Sequence, residues 1–181
     1  YYLALGIQAP ADRQLWSTSA TVAIKPVTLT ADQQQAMDFF TAAMNVDNYE
    51  AHLHAPRACF IVGEPGSGKT ETFVQMCAYA IVHRLRVLIL CPTGQLVASY
   101  RQKLPEHELI KVDTIHAGLR IHRGEEELVE HAPPSQLRKY DVIFIDECSQ
   151  LDNLTAKKVV YAIDELPHSP FLAVAADYKQ L

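Results

Sequence analysis

ACFIVGEPGSGKTETF, residues 58–73, begins as a short apolar run and passes through GEPGSGKT, Gly63–Thr70, into a segment able to continue as a helix. The spacing is GxxxxGKT, set after a strand and at the opening of a helix, which is the context a phosphate-binding loop requires. Glycines let the backbone turn tightly, so that successive N–H groups and the positive end of the helix converge on anionic oxygens. Gly63, Glu64, Pro65, Gly66, Ser67 and Gly68 form the cradle, and Lys69, expected on a solvent-open loop, reaches the β and γ phosphates. The hydroxyl of Thr70 is suited to a Mg²⁺ ion that bridges the phosphates of ATP. The plainer alternative is a glycine-rich turn that merely packs strand on helix.

Working outward, further apolar runs stand at RVLILC (86–91), DVIFID (141–146) and FLAVA (171–175). Their near-continuous hydrophobicity, shared by ACFIV (58–62), predicts strands buried on both faces. Helical stretches after Lys69, Gly94 and Asp152 separate them, so the expected class is α/β: a mainly parallel sheet with helices on both faces. DVIFIDECSQ ends a buried strand in adjacent acids, at the carboxyl edge where such sheets bind ligands. Asp146 is placed to hold Mg²⁺ through water and Glu147 to take a proton from an attacking water. Without a phosphate loop the pair reads only as a strand end and a solvated turn.

Composition bounds the rest. The chain has 181 residues, 49% hydrophobic and 20% charged, which suits one compact domain. A net charge of −5 does not advertise nucleic-acid binding, so any DNA contact is expected to be local. No apolar run is long enough to cross a bilayer. Cys59, Cys77, Cys91 and Cys148 show no CxxC spacing, and the expected setting is the reducing interior of a cell, whether cytoplasm, nucleus or mitochondrion. Residues 1–28 lack a clear period and read as a linker or N-terminal arm. The acidic run EEELVEHAPP (125–134) reads as a solvated excursion, His52 and His54 as an exposed loop, and the scattered arginines and lysines as solvated helix ends.

Taken in order, LTADQQQAMDFF before the loop, PTGQLVASY after the second strand, TIH at 114–116, DECSQ and ADYKQL resemble superfamily 1 DNA helicases. The resemblance covers residues 29–181 and is narrower still to the PIF-one and RecD-like branch, including helicases of Helitron-type transposons. It implies a RecA-like first motor domain of a 5′-to-3′ helicase, with a second motor domain carrying arginine fingers expected beyond Leu181. It further implies that Gln33 contacts adenine, that Thr93, Gly94, Thr114 and His116 lie by single-stranded DNA, and that Gln180 senses the γ phosphate. Ala176 stands where the family usually has Gly. Each assignment has a competitor in local chemistry. Thr30 and Gln33 have the T-x-x-Q spacing of a capping box, Thr and Gly favour helix starts and loops in any case, and His116 can be a structural histidine. Two other functions compete: a P-loop enzyme such as a small-molecule kinase, and a nucleotide-gated switch module that does not act as a helicase.

Overall fold

The computed structural model describes residues 24–44, 57–121, 135–166 and 169–179. Helix α1 (Ala31–Met44) precedes strand β1 (Ala58–Val62), and the phosphate loop leads from β1 into α2 (Lys69–Val82). There follow β2 (Val87–Cys91), α3 (Gly94–Lys103), β3 (Ile110–Thr114), the short α4 (Ile115–Leu119), β4 (Val142–Ile145), α5 (Asn153–Asp164) and β5 (Phe171–Ala176). Every strand pairing is parallel and the order across the sheet is β1-β5-β4-β2-β3. The α/β expectation holds, with helices on both faces.

Period-two alternation divides the strands between two cores. Val87, Ile89, Cys91, Val142, Phe144, Phe171, Ala173 and Ala175 face α1, α2 and α3, where they meet Phe40, Phe73, Ala80 and Tyr100. Leu88, Leu90, Ile143, Ile145 and Val174 face the opposite way, against Ile115, Leu119, Val159 and Ala162 from α4 and α5. Phe73 and Phe144 stack with ring centroids 4.5 Å apart, and Phe40 makes edge contacts with Phe144, Phe171 and Tyr79. These rings clamp α1 and α2 to the sheet centre, which holds the carboxyl ends of the strands in fixed register.

The structure corrects the strand reading in two places. β1 is an edge strand, with Phe60 73% and Val62 51% exposed, and is not buried on both faces. An apolar run of this length fits a central or an edge position equally well, and only pairing decides. β3, IKVDT, is the other edge strand; Lys111 and Asp113 alternate with Ile110 and Val112, so it has no continuous apolar run like the other strands, and the two charges pair at 3.1 Å. Packing also reaches back to Ile24, 2% exposed in the core, inside the stretch read as an arm. Residues 1–23, His52, His54 and the acidic run 125–134 lie outside the described residues.

Candidate nucleotide site

The loop between β1 and α2 turns through Gly66 and Gly68, whose φ values of +79° and +85° are left-handed conformations that a Cβ would strain. Gly68 is the N-cap of α2, and the helix begins at Lys69 itself. The amide of Gly63 donates to the carbonyl of Ala176 at 3.2 Å, which ties the loop's entrance to the end of β5. Lys69 is not solvent-open as expected. It is 7% exposed, and its Nζ donates to the carbonyls of Gly63 at 2.9 Å and Glu64 at 3.0 Å. A lysine that starts a helix under a concave loop has backbone acceptors nearer than water, so it folds inward.

Asp146, just past the end of β4 and fully buried, approaches this loop from two strands away, with β5 between β4 and β1. Its Oδ2 accepts from the Thr70 hydroxyl at 3.1 Å and from the Tyr100 hydroxyl at 2.6 Å, while its Oδ1 accepts from the Glu147 amide at 2.9 Å. A buried carboxylate is costly unless its lone pairs are satisfied, and three donors from three separate segments do this. Glu147 follows in a left-handed turn, φ +51°, and starts the 3-10 helix Cys148–Gln150. Left-handed backbone at a residue other than glycine costs about 1–3 kcal/mol and tends to persist at functional sites.

The capping box and the loop contact of Gln33 coexist. Thr30 N–H donates to Gln33 Oε1 at 2.9 Å and Gln33 N–H to Thr30 Oγ1 at 3.4 Å, while Gln33 Nε2 donates to the carbonyls of Ser67 and Gly68, each at 3.2 Å. The cap fixes the first turn of α1, and the amide reaches across to the phosphate loop. Between α1 and β1 a cavity of about 500 Å³, lined by Gln33, Phe39, Phe60, Val62 and Lys69 among others, opens beside that loop.

Two features escaped the sequence reading. Glu64 accepts from the Tyr178 hydroxyl and pairs with Lys179 at 2.9 Å, both from the turn after β5. These contacts hold its carboxyl below the usual range, the Tyr178 bond contributing most. Tyr100 is the other, buried on α3 within PTGQLVASY; its apolar neighbours disguise it as plain core. Pro65 and Ser67 are exposed on the loop.

Thr93 and Thr114 are helix N-caps, accepting from Leu96 N at 3.3 Å and Ala117 N at 3.2 Å. Gly94 opens α3 with open space around it, and His116 is exposed on α4. Thr114 pairs in register with Cys91, so the starts of α3 and α4 lie side by side at the carboxyl edge of the sheet that also carries the phosphate loop. Gln180 lies outside the described residues.

A parallel sheet whose strand–loop–helix cradle faces an acid at the end of another strand defines an α/β, RecA-like P-loop NTPase fold. The family model for the AAA domain matches residues 48–181, and the chain belongs to that family. Comparison with the curated proteins finds no match.

Proposed function

We propose that this chain is the ATP-binding and ATP-hydrolysing first motor domain of a 5′-to-3′ DNA helicase, working inside the cell on single-stranded DNA and duplex junctions. The single observation that carries the reading is the meeting of Thr70 with Asp146 beside the buried Lys69, at the sheet edge shared by the starts of α3 and α4. In this reading the amides of the loop hold the triphosphate, Lys69 exchanges two carbonyls for β and γ oxygens, and Gln33 reads adenine. Among the described residues no group of three or more His, Cys, Asp or Glu is poised to hold a metal. The hard oxygen pair of Thr70 and Asp146 nevertheless fits Mg²⁺, which binds through one or two protein oxygens together with phosphates and water. When bound, the ion neutralises phosphate charge.

Glu147 is the proposed base that takes the proton of the water attacking the γ phosphorus, releasing ADP and phosphate; Gln180 is the proposed γ-phosphate sensor. Thr93, Gly94, Thr114 and His116 are the proposed strand contacts. Support for the helicase assignment beyond an ATPase comes from the ordered motifs and from the exposure of Thr93, Gly94 and His116. The test is phosphate release by the complete protein with and without single-stranded DNA, beside strand separation on duplexes with a 5′ or a 3′ tail. Stimulation by DNA and unwinding of the 5′-tailed duplex alone are expected. Turnover indifferent to DNA would leave the nucleotide-gated switch as the better reading.

A further inference from the structure

We infer that Tyr100 is a positioning residue for the magnesium-side carboxylate Asp146, making α3 a third support of the nucleotide site beside the phosphate loop and β4. The inference rests on the role proposed above for Asp146. The tyrosine is fully buried, and its hydroxyl donates to Asp146 Oδ2 at 2.6 Å, the shortest of the contacts that carboxylate makes with Thr70, Tyr100 and the Glu147 amide.

The chemistry of the position explains why a hydroxyl is needed. The ring lies in a core of Phe40, Phe73, Cys77, Cys91 and Phe144, where phenylalanine would fill nearly the same volume with no polar atom to satisfy. The terminal torsion of an aspartate is soft and roughly two-fold, so backbone position alone does not orient its oxygens. Tyr100 occupies one lone pair of Oδ2, the Glu147 amide occupies Oδ1, and the orientation that remains turns the carboxylate toward Thr70. Thr70 belongs to the nucleotide side and must also serve the ion, whereas Tyr100 comes from α3 and has no other duty there. It is therefore the anchor that keeps the carboxylate aimed when the site fills.

The experiment is equilibrium binding of a fluorescent ATP analogue in EDTA and across a Mg²⁺ titration, for the parent, Tyr100→Phe, Asp146→Asn and the double variant. Tyr100→Phe is expected to bind the analogue in EDTA as the parent does. It should require about tenfold more Mg²⁺ for half-maximal tightening, the scale of one lost charge-assisted hydrogen bond. The double variant should be no worse than Asp146→Asn, because the two changes break the same contact. A Mg²⁺ requirement in Tyr100→Phe within twofold of the parent, with Asp146→Asn clearly shifted, would overturn the inference and leave Asp146 in place. Should Asp146→Asn also leave the requirement unchanged, the assignment of Asp146 falls and the inference falls with it. If Tyr100→Phe weakens binding equally in EDTA and Mg²⁺, the hydroxyl is a packing element, and the inference is likewise overturned.

Discussion

At the scale of single residues, the site is a set of polar groups that satisfy one another. Lys69 rests on the carbonyls of Gly63 and Glu64, and a triphosphate must offer it better acceptors than these. Lys69→Ala is therefore expected to weaken binding of a fluorescent ATP analogue by about tenfold or more, as loss of charge-assisted bonds to phosphate implies. The melting temperature should change little, since the lysine contacts loop carbonyls rather than core. Unchanged affinity would remove the phosphate-loop assignment. Glu147→Gln, in the complete protein, should keep nucleotide affinity and lower turnover by about 10²–10⁴-fold, because an amide preserves shape but accepts no proton. Steady-state phosphate release beside equilibrium binding checks this, and equal turnover would exclude Glu147 as the base.

Elements matter through their ends. α1 reaches the phosphate loop only because its capping box turns Gln33 toward Ser67 and Gly68, and a Cβ on Gly68 would lie 2.2 Å from Gln33 Nε2. Gly68→Ala should thus lose nucleotide binding, from a left-handed backbone penalty of about 1–2 kcal/mol together with displacement of Gln33. Binding and thermal melting measured together would show the two effects. α5 is capped by Asp152, whose carboxylate accepts from Leu154 N and Thr155 N, each at 2.9 Å, and from the Thr155 hydroxyl at 2.6 Å. The Thr155 hydroxyl bond is the main cause holding its pKa below the ordinary value. With the folded pKa depressed, the cap's contribution is present above the unfolded pKa of about 4 and is lost as pH falls through the lower folded value. Asp152→Ala should melt earlier than the parent at neutral pH, and the gap should close in strong acid. A gap independent of pH would show that the ionised cap contributes nothing.

For the whole molecule, the parallel sheet gathers the ends of β1 and β4 at one edge, so nucleotide should bind the folded state and not the unfolded chain. Mg²⁺ and ATP at about one hundred times the dissociation constant should stabilise the fold by about 2.7 kcal/mol. That corresponds to a rise in melting temperature of about 5–10 °C for a chain of this size. The rise should shrink in EDTA and fall by about half or more in Lys69→Ala at the same ligand concentration. Under the helicase proposal, binding of single-stranded DNA should weaken as salt is added, and binding indifferent to salt would exclude phosphate contacts. The net charge of −5 supplies no overall attraction to DNA, so the proposed strand contacts would have to act locally.

The sequence by itself determined the α/β class, the phosphate loop and the acid pair, because each is written in contiguous residues. Gly63–Thr70 needs only its own spacing, and DVIFIDE needs only a strand that ends in carboxylates. The capping role of Gln33 was equally local. Tertiary structure alone decided what depends on residues far apart in the chain. Strand pairing put β1 at an edge with Phe60 exposed, and made an edge strand of IKVDT, whose Lys111 and Asp113 break any continuous apolar run. Folding brought Tyr100 onto Asp146 across 46 positions and Tyr178 onto Glu64 across 114. It also turned Lys69 inward. Local spacing encodes backbone shape, but a hydrogen bond between distant side chains is set by the packing that brings them together, and no period or motif in the chain records it.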